Sequence, residues 1–189
     1  MQVSPERAAD LSDGSDEHLA TAAASGSRAA FAELIGRHYD RIFRLAFSLT
    51  GRRAEAEDLV QDICAALPAK LQSYRQQARF TTWLYRVTIN AAHDRRRRAA
   101  THMKAATGWG DWELDRQAQK AGEAEAQDWL GHAMARLPQD LRDTVALTLG
   151  EDMTQGEAAQ VLGLSEGTVA WRMSEVKKRL RAMAVAEDQ

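Results

Sequence analysis

The stretch "TQGEAAQVLGLSEGTV", Thr154–Val169, constrains the fold of this chain more than any other. Thr154 is followed three residues later by Glu157, the Thr-x-x-Glu capping box that opens a helix. Ala159 is small, as a residue must be where two helices cross closely. Gly163 lies four residues on, where the chain needs a left-handed turn that glycine adopts freely. Ser165 then supplies an oxygen to cap a second helix. Val169, Met173, Val176 and Leu180 give that helix an apolar stripe at three–four spacing. An ordinary helical hairpin with a glycine C-cap is the competing reading. The capping box, small alanine, spaced glycine and basic tail together favour a helix-turn-helix.

At about 100° per residue, the face opposite the stripe carries Gly167, Trp171, Ser174, Glu175 and Lys178, with Arg172 and Arg179 at its margins. In a helix-turn-helix this face enters the major groove. Its N-terminal residues, here Ser165, Glu166, Gly167 and Thr168, come nearest the base edges. Lys177, Lys178, Arg179 and Arg181 lie further along and suit phosphates, which supply affinity without sequence reading.

The rest of the chain is also helical in pattern. Phe31, Leu34, Ile35, Ile42, Leu45, Ala46 and Leu49 recur at three–four spacing, and Gly51 marks a helix end. Ala56, Leu59, Val60, Ile63 and Leu67 form a second stripe, which Pro68 is predicted to end or bend. A third helix carries Trp83, Leu84, Val87 and Ala91 inward and is predicted to finish near Arg98. Pro138 is predicted at the first position of a helix from Gln139 to Leu149, closed by Gly150. No strand-like alternation of useful length occurs. The expected fold is all-α, with two small helical domains at residues 29–98 and 128–184. Residues 1–28, rich in Ser, Gly, Ala and acids, read as a mobile extension with a short helix near its end. Residues 99–127 read as a flexible acidic linker and 185–189 as a tail.

Charge is distributed unevenly. The net charge is −2, so any nucleic-acid affinity must come from local patches. One such patch runs from Ser73 to Arg98, where seven arginines (Arg75, Arg79, Arg86, Arg95, Arg96, Arg97, Arg98) meet only Asp94. Cations at a helix C-terminus complement the macrodipole, but that does not require four in a row. Tyr74, Phe80, Trp83 and Tyr85 are interleaved with them. Basic plus aromatic character suits single-stranded or melting DNA. Phe80 and Trp83 are equally placed for the core, so both roles stand open. In "EAEDLVQDI", Glu57, Asp58, Gln61 and Asp62 share a face that is either simply solvated or docks on a basic protein.

The 189 residues carry one cysteine, Cys64, so no internal disulfide or thiolate metal site is possible. The N-terminus has no apolar h-region, and no apolar run reaches the roughly 18 residues of a membrane span. A soluble cytoplasmic protein is expected, with no membrane insertion. His18, His38, His93, His102 and His132 are scattered, so no metal or cofactor is expected. With no Walker-type loop, His-Glu-x-x-His or nucleophile elbow, neither is an enzyme.

The segments "AEDLVQDI", "FTTWLYRVTINAAHDRRRR", "LPQDLRDTVAL" and "EAAQVLGLSEGTVAWRM", in that order and separation, resemble the extracytoplasmic-function sigma factors of the sigma-70 family. The resemblance covers residues 29–98 and 128–183. It implies a factor that binds core RNA polymerase and directs promoter-specific initiation. It implies that Asp58, Gln61 and Asp62 engage the clamp helices of the polymerase β′ subunit. It assigns −10 recognition and opening to Tyr74, Arg75, Arg79, Arg86, Asn90, Arg95, Arg96, Arg97 and Arg98. It assigns −35 recognition, near the β flap, to Ser165, Glu166, Gly167, Thr168, Trp171, Arg172, Glu175 and Lys178. It also implies control by an anti-sigma factor and a part in stress responses.

Some positions depart from the family pattern. Gln76 and Gln77 stand where Gly-Asp is common, and Pro68 interrupts a helix that usually continues. Glu175 replaces a common arginine, and either accepts from cytosine N4 or repels phosphate. Trp171 replaces a small polar residue, and either contacts DNA or packs against the other domain. A stand-alone helix-turn-helix regulator would leave residues 29–98 without a task. A sigma-mimic decoy for an anti-sigma factor would carry a receiver domain, of which the sequence shows no sign.

Overall fold

The computed structural model describes residues 14–106, 133–134 and 136–187. Among these, seven α-helices and one π-turn carry the fold: α1 (Asp16–Ala24), α2 (Arg28–Thr50), α3 (Arg53–Leu71), α4 (Phe80–Ala106), α5 (Gln139–Val145) running on into a π-turn (Ala146–Gly150), α6 (Gln155–Leu162) and α7 (Glu166–Glu187).

The predicted stripes are the core. Leu34, Ile42, Leu45, Ala46 and Leu49 of α2 and Ala56, Leu59, Val60, Ile63 and Leu67 of α3 are buried, and Leu84 and Val87 of α4 join them. Gly51 ends α2 with φ 73°, the left-handed conformation of a glycine C-cap. The capping box forms as read: Thr154 accepts from the Glu157 backbone N–H, the Glu157 carboxylate accepts from the Thr154 N–H, and Gly163 closes α6 with φ 67°. Ser165 accepts from Thr168 N at 3.2 Å and so caps α7. Val169, Met173 and Val176 are buried beneath it.

Several boundaries differ from the sequence expectation. Residues 14–28 are not a free extension. Ser15 caps α1, and Leu19, Ala20 and Ala23 are buried against α2 and α3. Alanines score weakly in a hydropathy reading yet pack well against larger neighbours. Pro68 does not end α3, which continues to Leu71. The proline forfeits one backbone bond near the helix end, while burial of Leu67 and Leu71 on either side holds the last turn in place. Helix α4 does not stop at Arg98 but runs to Ala106. "AATHMKAA" is built mostly of good helix formers, although its small and polar character resembles a linker. Pro138 is the N-cap of α5 and not its first helical residue. The helix expected to reach Leu149 changes to π geometry at Ala146, and α7 extends through residues 185–187. The rest of the expected linker, residues 107–127, lies outside the described residues, as do 1–13.

The two blocks share one interface. The π-turn packs on α2 and α6 packs on α4. Ala146, Leu147, Ala158, Ala159, Val161 and Val169 belong to the same buried cluster as the α1–α4 residues. A Cβ on Gly150 would lie 3.0 Å from Ser48 Oγ, so this crossing is close enough to favour glycine.

Candidate nucleic-acid and polymerase interfaces

The connector between α3 and α4 is folded tightly. Tyr74 Oη donates to Ala78 O at 2.9 Å, and Ser73 Oγ donates to Lys70 O at 2.7 Å. Gln76 adopts φ +55°, a left-handed backbone where glycine is the easier residue. Tyr74, Phe80 and Trp83 form an aromatic cluster with ring centroids 5.2–5.7 Å apart. Phe80 is fully buried and Trp83 half-buried, so the core role of these rings is realised. Arg75, Gln77 and Arg79 are exposed on the connector.

Along α4, the side chains expected to meet DNA divide into two groups. Arg96, Arg97 and Arg98 are exposed, with Arg97 paired to Asp94 at 2.8 Å. Arg86 and Asn90 instead face the helix-turn-helix. The Arg86 Nε donates to Val161 O at 3.1 Å and its Nη2 to Gln160 O, carbonyls at the negative end of α6. Asn90 lines the cleft between the blocks, about 570 Å³ in volume, together with His93, Asp143 and Arg172. His93 Nε2 stands 2.8 Å from Asp143 Oδ2. Tyr85 Oη donates to Glu151 Oε2 at 2.7 Å, and burial, with that carboxylate, pushes the phenol well above its ordinary range.

Asp58, Gln61 and Asp62 are exposed on α3. The sequence did not reveal what stands beside them. Arg95 reaches across from α4, 2.8 Å from Asp58 Oδ2 and 3.0 Å from Asp62 Oδ2. The expected docking face and the expected DNA face are therefore contiguous, joined by an arginine placed between them. Burial of Leu59 and Ile63 turns the acids outward.

On α7, Gly167, Ser174 and Lys178 are exposed, and Trp171 is 63 % exposed. Trp171 does not pack against the other block, which removes one of its two readings. Arg172 is turned inward, with Nη1 donating to Asp140 O at 3.3 Å and Nη2 pairing with Asp140 Oδ2 at 3.5 Å. Glu175 accepts from Arg179 at 3.0 Å. Arg142, which sequence reasoning passed over, is buried and anchors the start of this block by donating to Met134 O and Leu137 O. Burial holds its pKa down at about 10.

Comparison with known proteins gives this arrangement its family. Residues 34–101 match the family described as Sigma-70 region 2, and residues 127–180 match Sigma-70, region 4. The chain is 33% identical over 167 residues to the ECF RNA polymerase sigma factor SigM of Mycobacterium tuberculosis, covering 88% of this chain and 83% of the relative. The chain belongs to the extracytoplasmic-function sigma factors of the sigma-70 family. This sigma factor is also 30% identical over 188 residues to the RNA polymerase sigma factor CnrH of Cupriavidus metallidurans, covering 94% and 98% of the two chains. Its fold matches the structure of CnrH in complex with the cytosolic domain of CnrY, with a TM-score of 0.64 and 31% identity over 90% of this chain and 97% of that one. The region 2 match thus falls within α2–α4 and the region 4 match on α5–α7, with α1 lying ahead of both.

Proposed function

We propose that this chain binds core RNA polymerase through Asp58, Gln61 and Asp62, and reads and opens the −10 element with the 73–79 connector and the basic end of α4. In this proposal α7 reads the −35 element as duplex, and the polymerase supplies all the chemistry. The proposal further holds that the factor works in the cytoplasm and is kept inactive by an anti-sigma partner. Among the described residues no helix is long and apolar enough to cross a membrane, which accords with that location. Control by a partner is in line with the relative CnrH, whose solved structure is a complex with the cytosolic domain of CnrY.

One observation carries the reading. A capped helix-turn-helix with an outward Trp171, Ser174 and Lys178 shares a chain with a second block whose exposed acids are joined through the half-buried Arg95 to the exposed Arg96, Arg97 and Arg98. A stand-alone regulator needs only the first of these. Run-off transcription with purified core polymerase tests it: added chain should yield a discrete product, and a regulator alone would yield none.

A further inference from the structure

The helix α1 lies outside the segment that matches region 2, which begins at residue 34, yet it holds the 73–79 connector at two points. Gln76 Nε2 donates to Thr21 Oγ1 at 2.9 Å. The Thr21 hydroxyl is itself oriented, because it donates to Glu17 O at 2.9 Å. One residue beyond the connector, Phe80 N donates to Glu17 Oε1 at 3.2 Å. A carboxylate from another helix thus satisfies an otherwise orphan N–H at the positive end of α4.

The helix making these contacts is itself fixed. Leu19 and Ala20 are buried. Asp16 stands 2.7 Å from His38 Nε2 and 3.3 Å from Arg37, and Arg37 also donates to Gly14 O at 2.7 Å. His38 is buried against the Phe80 ring at 5.3 Å, and its Nδ1 has no hydrogen-bond partner. Facing a carboxylate, Nε2 donates to Asp16.

We infer that α1 sets the shape of the −10-reading connector, with Thr21 and Glu17 acting as positioning residues that tune base preference without touching DNA. The inference rests on the proposed role of the connector. Gln76 occupies a backbone conformation that a non-glycine residue rarely adopts unaided, and its side chain is committed to Thr21. The exposed side chains left to meet an unstacked base are Arg75, Gln77 and Arg79. Their directions depend on how Gln76 and Phe80 are held. Loss of either tether lets the connector sample other shapes, and discrimination between bases falls with it.

The test is run-off transcription with core polymerase on templates that differ at single positions of the −10 element, read as the ratio of product from preferred and altered templates. Thr21→Val removes the hydroxyl and keeps the shape, Thr21→Ser restores it, and Arg75→Ala combined with Gln77→Ala alters the connector directly. Thr21→Val should shift the ratio by about fivefold, the scale of one lost hydrogen bond, while Thr21→Ser retains the wild-type ratio. Gln76→Ala, approached from the other partner, should shift it as Thr21→Val does. A uniform fall on all templates with Thr21→Val would mark a merely structural role and overturn the inference. An unchanged ratio with Thr21→Val, beside a changed one with the Arg75/Gln77 variant, would overturn the inference and leave the connector's role standing. If neither variant moves the ratio, the connector does not read the −10 element and both readings fall.

Discussion

Arg86 of α4 closes the far end of α6 by donating to the carbonyl of Val161 at 3.1 Å. An arginine placed by the family resemblance on DNA is instead spent on the helix-turn-helix, and His93 with Asp143 extends the same seam. In this closed arrangement the Nε and Nη2 of Arg86 are both committed to carbonyls of α6. Arg86→Ala is expected to loosen the seam, raising amide exchange in the last turn of α6 by about three- to tenfold, as loss of a solvent-accessible charged bond allows. Arg86→Lys should restore it only in part, since a lysine cannot reproduce the guanidinium fork. Unchanged exchange in Arg86→Ala would show that the apolar contacts alone hold the blocks together.

The acids of α3 are solvent-facing, and exposed ion pairs contribute little to stability, about 0–1 kcal/mol. Asp58→Ala with Asp62→Ala should therefore leave the melting temperature nearly unchanged while weakening core-polymerase binding by about tenfold or more, ~1.4 kcal/mol. Equilibrium binding of labelled protein to purified core polymerase measures this. Unaltered affinity would remove the docking face from the account.

Arg96, Arg97 and Arg98 stand exposed at the basic end of α4. If they neutralise phosphates, replacing all three by alanine should reduce promoter opening and lower the salt-dependence slope by about 2 to 3, near one per lost phosphate contact. Opening rates across a salt series check it; an equal slope in the variant would count against phosphate contact.

Trp171 is 63 % exposed on the outward face of α7. Trp171→Ala should hold stability within about 0.5 kcal/mol, as surface changes do. It should reduce −35-dependent transcription without affecting a template whose −35 element is scrambled. A clear loss of melting temperature would show a packing role in place of a DNA role.

The capping box carries a pH signature. Hydrogen bonds from the Thr154 backbone, then from its side chain, hold the Glu157 carboxyl below its ordinary range. A depressed folded-state pKa contributes stability that is present above the ordinary carboxylate pKa and lost as pH falls through the folded value. Glu157→Ala, which removes the carboxylate that accepts from the Thr154 N–H, is expected to lower the melting temperature at neutral pH, and the gap to wild type should narrow in acid. A gap that stays constant with pH would contradict the reciprocal cap.

Much of this molecule was legible in its residues because local chemistry decides local structure. Thr154, Glu157, Gly163 and Ser165 each perform the task that their side chain or missing side chain suits, and the stripes of α2 and α3 bury as spaced. What escaped was decided by tertiary contact. The short helix expected near the end of residues 1–28 is α1, but its burial against α2 and α3 was not foreseen, although Ser15 followed by acids and then Leu19, Ala20 and Ala23 is a usable signal. The bridge from Arg95 to Asp58 and Asp62 joins residues more than thirty positions apart, which no periodicity reports. The commitment of Arg86 to Val161 and Gln160, and of Arg172 to Asp140, depends on how whole helices cross. The partners of these basic residues are set by the fold and not by their position along the chain.

The central claim is that one block grips polymerase and opens DNA while the other anchors upstream. Mapping the 5′ ends of transcripts made by purified core polymerase on genomic template, with and without the chain, tests it most directly. The account predicts a discrete set of new starts, each a fixed distance downstream of a shared pair of sequence elements. Identical, scattered ends in both reactions would contradict it.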